Sequence, residues 1–436
     1  MKAIKSDEQD LKKSGIEWVG KSPSSWKLIA NKYVMHKEKI LCEKWNHEDV
    51  LSLTMNGVIV RDLVNPTGKM PATFDGYQYS EKGDLLMCLF DIDVTPRCVG
   101  RVYNDGVTSP AYSNFKLHDN ADLGYYYYYY LMMDHTKELL HLAKNLRHSF
   151  TEEQLGQLKV PLPPLNEQKA IADYLDDRCS KIGTIIAEAK ASIEEYKELK
   201  QAVIYDAVTK GLDKNAEMKD SGIEWVGQIP ITWISARFSK VNWIRARLGW
   251  KGLKAEEYIG EGYPFLSAFN IQNYKLVWEN INHITLERYD ESPEIKLHTE
   301  DILLVKDGAG IGKCARVDNL PLGEATVNSS LAVITPKDSI NYRYEYYYLL
   351  SPIFQNVITR LRNGMGVPHL TQEAMKEIVI PCPSIEEQIN IADYLDKMTI
   401  EFDSLISEKQ SLIEELEFYK KSLIYEVVTG KRKVVD

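Results

Sequence analysis

The side chains of this chain best suited to contact nucleic acid are cations placed among glycines. Lys306, Lys313 and Arg316 lie in the stretch Lys-Asp-Gly-Ala-Gly-Ile-Gly-Lys-Cys-Ala-Arg, whose glycines would let the backbone approach a phosphate closely. Arg97 and Arg101 occupy the matching place in the first half of the chain, which the second half repeats. These five residues are predicted to contact DNA.

A second group of candidates follows near residues 147 and 365. Its members are Arg147, His148, Arg360, Arg362, Asn363 and His369. Arg and Asn suit bidentate recognition of guanine and adenine edges. Most exposed basic residues are solvated surface charges, so each candidate taken alone is more readily explained as surface.

No catalytic centre can be assembled from the sequence. Cys314 follows Lys313 where a phosphate-binding loop needs Ser or Thr, and no long helix pattern follows it. The Asn/Asp-Pro-Pro-Tyr/Phe segment of amino-group methyltransferases is missing, and Pro293-Glu-Ile-Lys296 lacks a paired upstream acid. The six cysteines are isolated, with no metal-ligand spacing. We therefore expect no catalytic residue, metal or cofactor in this chain.

Composition indicates a folded protein of two or three domains. The chain has 436 residues, of which 44% are hydrophobic and 27% charged. No run of 18 apolar residues and no secretory signal is present, so a cytoplasmic location without membrane contact is expected. The net charge of −10 opposes phosphate binding, but most of it falls in segments 166–212 and 386–436. The remainder is nearly balanced and leaves room for a basic face.

The chain contains an internal repeat, which dictates its architecture. Ser14–Gly20 recurs identically as Ser221–Gly227, each copy followed by a Pro and a Trp. Pro161–Asp176 matches Pro381–Asp396 at an offset of 220 residues, through the shared Glu-Gln and Ile-Ala-Asp-Tyr-Leu-Asp. The sequence therefore predicts two related halves.

Each half consists of a mixed front part and a helical back part. Short apolar runs broken by turns predict compact α and β domains over 1–160 and 213–380. Over 161–212 and 381–436, apolar residues spaced by threes and fours predict one long helix each, the first about 65 Å long from Glu167 to Thr209. Ser384 and Glu387 form a candidate capping box for the second helix, whose apolar stripe Lys409 interrupts.

A narrow stripe on so long a helix requires a partner, and the chain supplies one of equal length. If a pseudo-two-fold axis relates the halves, the two helices pair antiparallel as a coiled coil and carry the front domains to opposite ends. The predicted class is α+β. Residues Tyr125 to Tyr130, Tyr346 to Tyr348 and the repeated tryptophans are predicted to pack in cores rather than to stack on bases.

These motifs resemble the specificity subunits of Type I restriction-modification enzymes, over essentially the whole chain. The resemblance rests on Gly-Ile-Glu-Trp-Val-Gly, the Pro-x-Pro entry to each long helix, the Ile-Tyr-Asp/Glu-x-Val-Thr exit and Asp301–Lys313. It implies that 1–160 and 213–380 are target-recognition domains for the halves of a split DNA site, and that the paired helices set the spacing. It also implies two methyltransferase subunits that use S-adenosylmethionine, and two restriction subunits that use ATP and Mg.

The two front domains differ strongly, which favours an asymmetric site. Leu89–Arg97 replaces the glycine loop of the second half, so a DNA-contacting role for Arg97 or Arg101 does not follow from the family pattern. Other functions stay open on sequence alone. A coiled-coil scaffold that binds only proteins would suit the acidic charge, and a self-sufficient DNA enzyme or a silent copy of a specificity gene are further alternatives.

Overall fold

The chain folds into two compact units. The computed structural model describes residues 1–66, 68, 70–95, 97–143, 149–247, 253, 255–308, 310–361 and 369–435. The first unit combines Met1–Lys190 with Gln410–Asp436, and the second is the continuous stretch Ala191–Lys409. Each of the two long helices therefore contributes residues to both units.

Short strands dominate both units, and most helices are short as well. The elements of the first half are β1 Lys2–Lys5, β2 Leu11–Lys13, β3 Lys21–Pro23, β4 Lys27–Ala30, β5 Met35–Glu38, β6 Val50–Thr54, β7 Gly57–Val60, β8 Gln78–Ser80, β9 Leu85–Met87, β10 Val99–Arg101, β11 Gly106–Thr108, β12 Ser113–Leu117, α1 Leu123–His135, α2 Glu138–Leu142, α3 Glu152–Gln157, β13 Lys159–Leu162 and α4 Leu165–Lys210.

The second half repeats this order with a few additions. Its elements are β14 Met218–Asp220, β15 Gln228–Pro230, β16 Ile234–Arg237, α5 Phe238–Val241, β17 Asn242–Arg245, β18 Tyr263–Leu266, β19 Ile271–Gln272, β20 Lys275–Leu276, β21 Asn282–Ile284, α6 Leu286–Asp290, β22 Ile302–Val305, β23 Cys314–Arg316, β24 Thr326–Val327, β25 Leu331–Pro336, α7 Tyr342–Leu350, α8 Pro352–Leu361, α9 Gln372–Lys376, β26 Val379–Cys382, α10 Ile385–Val428 and β27 Arg432–Val435.

The sheets of the two units share one plan. A four-stranded sheet has the order β10-β9-β12-β5 in the first unit and β23-β22-β25-β17 in the second. A second sheet holds the parallel pair β6 and β11 in the first unit, and the parallel pair β18 and β24 in the second. In the first unit, β1 also pairs antiparallel with β27. The repeat seen in the sequence is therefore a repeat of topology.

The prediction that segment 381–436 is helical is wrong at its end, because α10 stops at Val428 and Arg432–Val435 form the strand β27, which pairs with β1. The helices α4 and α10 otherwise match the two predicted long helices closely. They span 46 and 44 residues, and α4 extends two residues before the predicted start and one beyond the predicted end. The start of α4 shares an apolar core with the end of α10 in the first unit, and the end of α4 shares one with the start of α10 in the second. The helices therefore run antiparallel, as predicted.

The capping box predicted for α10 is only half formed. The backbone N–H of Glu387 donates to Ser384 Oγ over 3.3 Å, which caps the helix. The Glu387 carboxylate does not return to the Ser384 backbone, because it accepts a hydrogen bond from the indole of Trp233 at 2.9 Å. A tertiary contact has replaced the local one.

The tyrosine-rich helices α1 and α7 lie in the cores, as predicted. Five of the six consecutive tyrosines are at most 4% exposed, namely Tyr125, Tyr126, Tyr128, Tyr129 and Tyr130. In α7, Tyr346 to Tyr348 are likewise buried. Trp26 and Trp233 are also buried, and Trp18 and Trp225 pack on the same cores. These rings are consequently closed to base stacking.

Candidate nucleic-acid interface

Both units attach to the long helices through the same indole–carboxylate contact. Trp26 Nε1 donates to Glu167 Oε2 at 3.1 Å in the first unit, and Trp233 Nε1 donates to Glu387 Oε1 at 2.9 Å in the second. Both glutamates lie in the first turn of their helix, where a negative charge is favourable. The repeated Trp and the Glu of the Glu-Gln motif thus fix the entry of each helix.

The glutamine of the same motif joins each long helix to a loop of its unit through hydrogen bonds. Gln168 Oε1 accepts from the backbone of Asp122 at 2.8 Å, and Gln168 Nε2 donates to the carbonyls of Asn120 and Pro163. Gln388 makes the equivalent contacts in the second unit, accepting from the backbone of Asn341 at 2.7 Å. Both amides are fully buried, so they satisfy loop backbone groups that would otherwise be costly to bury.

The last aspartate of the repeated motif holds an arginine and a tyrosine in each unit. Arg101 Nη1 donates to Asp176 at 3.0 Å and Tyr128 donates at 2.7 Å. In the second unit Arg316 Nη1 donates to Asp396 at 2.7 Å and Tyr347 at 2.6 Å. Burial opposes ionisation, but these hydrogen bonds outweigh it and lower the pKa of both aspartates.

Arg101 and Arg316 therefore face the helices. The Arg101 side chain is only 11% exposed and its guanidinium lies 4.4 Å from the ring centre of Tyr127. Arg316 is 24% exposed and also pairs with Asp318 at 3.0 Å. Their contact with DNA stays a prediction, whereas both guanidinium groups have intramolecular partners that join strand to helix.

Arg97 also lies against a carboxylate. Its Nε is 3.7 Å from Asp134, and its side chain is 15% exposed. Asp134 further accepts from the backbone of Cys98 at 3.1 Å and from Lys137 at 3.0 Å. The loop that carries Arg97 includes Asp91, Asp93 and the exposed Val94, so its chemistry is unlike that of the glycine loop.

In the second unit, backbone hydrogen bonds gather four segments at one edge. Asn328 N donates to Leu266 O at 2.8 Å, Lys306 N to Ser330 O at 2.9 Å and Leu370 N to Lys306 O at 2.9 Å. We call the segments 267–270, 306–313 (Ala309 apart), 328–330 and 369 the loop edge. It lies where the parallel strands β18 and β24 both end.

The predicted residues Lys306, Lys313 and His369 all belong to the loop edge. Lys306 Nζ lies 2.5 Å from Asp307 Oδ2, and His369 hydrogen-bonds the other oxygen of that carboxylate. Lys313 is exposed. The carboxylate of Asp307 therefore orders a lysine and a histidine side by side. The Lys306 side chain is only 13% exposed and that of His369 is 49% exposed, so His369 and Lys313 are the groups that a ligand at this edge can reach.

The remaining candidates fall in two groups. Arg360 lies at the end of α8 and its side chain is 62% exposed. Its Nη1 is 3.6 Å from Glu224 Oε1. Arg147, His148, Arg362 and Asn363 lie outside the described residues, and the last two precede His369 in the chain. Their contact with DNA stays a prediction.

The sequence did not lead us to predict the contacts that attach each unit to the long helices. The signal was present, because Trp, Glu, Gln and the last Asp of the motif are identical in both copies. The partner arginines were instead predicted only as DNA contacts. Among the described residues, no group of three or more His, Cys, Asp or Glu could hold a metal ion.

Comparison with known proteins places the chain in a family. A family model described as "Type I restriction modification DNA specificity domain" matches residues 78–195 and 250–415, well over half of the chain. The chain therefore belongs to the family of Type I restriction-modification DNA specificity domains. No helix in the described ranges has the length and apolar character needed to cross a bilayer.

Individual relatives carry the same description. The Type I restriction enzyme MjaVIII specificity subunit of Methanocaldococcus jannaschii is 29% identical over 280 residues, 64% of this chain and 63% of that protein. The EcoKI specificity subunit of Escherichia coli is 25% identical over 209 residues, 47% of this chain and 44% of that protein. The alignments thus span less than two thirds of these relatives' length.

Two solved structures share the fold. One, from work on complex assembly and conformational transition of the type I R-M system, has a TM-score of 0.70 at 16% identity and covers 94% of this chain and 99% of that chain. The HsdS subunit from Thermoanaerobacter tengcongensis has a TM-score of 0.55 at 16% identity and covers 94% and 98%.

Proposed function

We propose that this chain is the DNA-reading specificity subunit of a Type I restriction-modification complex. Each unit recognises one half of a split, asymmetric DNA site, and partner subunits act on the DNA so selected. The chain itself is non-catalytic. The proposal is supported by the family membership and by the paired construction of the two units.

One observation carries the proposal: the two units share their attachment and differ in their loops. The Trp–Glu, Gln–backbone and Asp–Arg–Tyr contacts recur in both units. The matching loops differ in chemistry, since one is acidic and apolar and the other holds glycines and lysines. Two units that attach to the long helices in the same way but expose different loops are suited to recognise two different half-sites.

The partners and cofactors follow from the proposed function. Two modification subunits that bind S-adenosylmethionine methylate adenine, and two restriction subunits use ATP and Mg. The complex acts on double-stranded DNA in the cytoplasm. The chain's net charge of −10 suits a subunit whose partners make most of the phosphate contacts.

Methylation mapping in cells tests the proposal. The chain is expressed with its modification subunit, before and after residues 213–380 are exchanged for the corresponding segment of another family member. We expect adenine methylation at a split motif, and a change in only one half of that motif after the exchange. The same exchange of residues 1–160 serves as the matched control and is expected to change the other half.

Three results would contradict the proposal. A complex that assembles but methylates no motif and binds no duplex points to a protein scaffold. Methylation or cleavage by the purified chain alone, given DNA, S-adenosylmethionine, Mg and ATP, points to a self-sufficient enzyme. If the native cells do not produce the chain, and their methylome stays the same when its gene is removed, the gene is a silent copy.

A further inference from the structure

Phe269 is exposed to solvent in the middle of a short hydrogen-bonded turn. Its side chain is 89% exposed, the largest value among the large apolar residues that the structure describes. It is the middle residue of a 3-10 turn, Ala268–Asn270, between the buried Leu266 and Ile271. Single exposed apolar residues are common, so exposure alone does not indicate a function.

Hydrogen bonds hold the backbone of the turn on both sides of Phe269. Ser267 N donates to Asn270 Oδ1 at 2.9 Å, and Asn270 N donates back to Ser267 O at 3.0 Å. Val277 N donates to Asn270 O at 2.8 Å, which ties the turn to the following hairpin. Asn270 itself is buried. The backbone that carries the ring is therefore held in one conformation, so only the side-chain torsions of Phe269 remain to be ordered on binding.

Phe269 lies on the same loop edge as two lysines, Lys306 and Lys313. The segments 267–270, 328–330 and 306–307 are successive neighbours through backbone hydrogen bonds, so Phe269 and Lys306 are separated by about 10–15 Å at ordinary strand spacing. The B-DNA major groove is about 12 Å wide. An edge of this size can place a ring in the groove while the exposed Lys313 faces the phosphates.

The neighbours of Phe269 favour an A·T base pair. Gln272 and Asn273 are exposed two and three residues beyond the turn. The Gln272 amide donates to the Phe269 carbonyl at 3.3 Å, which leaves its oxygen and second N–H, together with the Asn273 side chain, for a base. Such side chains pair with adenine, while an apolar ring contacts the thymine methyl group. On the basis of the proposed function, we propose that Phe269 contacts the C5-methyl group of a thymine in the half-site read by the second unit.

The first unit has an apolar tip at the equivalent place. There β6 is the parallel partner of β11, and the chain leaves β6 through a hairpin turn at Met55, which is 56% exposed. The two tips differ in shape and chemistry. The same edge in both units thus carries an exposed apolar side chain on a different loop, as two different half-sites require.

A thymine-to-uracil experiment tests the contact directly. The chain in complex with its modification subunits binds a duplex of the mapped site, and each thymine of the second half-site is replaced in turn by deoxyuridine, which lacks the methyl group. At one position we expect wild-type affinity to fall about 3- to 10-fold. The Phe269→Ala complex is expected to bind the original duplex about as weakly and to lose nothing more on that replacement.

Matched variants separate this contact from other effects. Trp243→Ala removes an aromatic side chain that is 61% exposed on β17, opposite Thr335 and about 17 Å along β25 from the loop edge, and should leave affinity unchanged. Phe269→Leu keeps an apolar side chain and is expected to retain most of the affinity. Melting temperatures of all variants report whether folding is intact.

The outcomes distinguish the two proposals. If Phe269→Ala binds the site as tightly as wild type, or weakens binding without coupling to any thymine methyl, the thymine contact is wrong. If Phe269→Ala abolishes assembly with the modification subunits, Phe269 belongs to a protein interface and the contact is equally wrong. A wild-type complex that prefers no duplex overturns the proposed function instead.

Discussion

At the level of single residues, the fully buried Glu345 has the most unusual environment. Its carboxylate accepts a hydrogen bond from Asn242, and burial raises the pKa of Glu345 to about 8. One further oxygen of each side chain has no hydrogen-bond partner among the described residues. A protonated Glu345 can donate to that oxygen of Asn242, so the pair is satisfied when the carboxyl is neutral.

Glu345→Gln is expected to raise the free energy of unfolding at pH 7 by about 2 kcal/mol. The raised pKa means that wild-type stability is highest below the ordinary pKa of a glutamate and falls as the pH rises to about 8. Urea denaturation from pH 5 to 9 measures this slope, which the variant should largely lack. The exposed Glu373→Gln is the control, and an identical slope in Glu345→Gln would contradict the prediction.

Asp176→Asn should destabilise the first unit by about 2 kcal/mol, because it leaves the nearly buried Arg101 with a weaker partner. The estimate is below that for a fully buried pair because Asp176 is 45% exposed. Since the pKa of Asp176 is lowered, its contribution is present above its ordinary pKa and is lost as the pH falls through the lower folded value.

The adjacent Asp177 provides the control for Asp176. It is 49% exposed and pairs with Lys181 one helical turn away at 2.8 Å. Such surface pairs contribute little because water and salt screen them, so Asp177→Asn should leave the denaturation midpoint nearly unchanged. Equal midpoints for the two variants would show that the Arg101–Asp176 contact contributes nothing special.

At the level of elements, the conformation of the glycine loop of the second unit, Asp307–Lys313 in the sequence, depends more on Gly312 than on Gly310. Gly312 has a φ of +90°, and a Cβ there would lie 2.9 Å from Gln355 Oε1 on α8. Gln355 Nε2 donates to the carbonyl of Gly312 at 3.0 Å. The loop is therefore seated directly on α8, where an added Cβ would force the Gln355 side chain or the loop to shift.

Gly312→Ala is expected to cost about 1–3 kcal/mol and to weaken DNA binding, because the backbone conformation is strained and the loop or the Gln355 side chain must shift. Gly310→Ala is the matched control, since its Cβ would make only ordinary contacts, the nearest at 3.6 Å. Thermal melting and duplex binding of the two proteins check the prediction. It is wrong if Gly310→Ala is the more damaging change.

The elements themselves were largely predictable, whereas the partners of particular side chains were not. The apolar stripe located both long helices, because the helix period is a local property. The segment assigned to the second helix nevertheless ran eight residues past Val428, into the strand β27. Arg101 and Asp176 are 75 residues apart, and a lone arginine shows no sign of its future partner. Phe269 lies in no motif, and its exposure depends on how the surrounding turn is packed.

At the level of the whole molecule, the acidic net charge predicts how salt affects DNA binding. The slope of log affinity against log salt reflects the number of phosphates neutralised. If partners make most phosphate contacts, the slope should be shallow for the isolated chain and steep for the complex with modification subunits. Titration of one duplex at several salt concentrations measures both slopes. Equal slopes would place the phosphate contacts on this chain instead.

The discontinuous first unit has a consequence for the order of folding during synthesis. The ribosome completes the whole of the second unit, Ala191–Lys409, before it makes the last segment that the first unit needs. That segment supplies the end of α10 and the strand that pairs with β1. We therefore expect the second unit to fold first on the nascent chain. Residues Met1–Lys190 stay incompletely folded, and exposed to chaperones and proteases, until Gln410–Asp436 has been made.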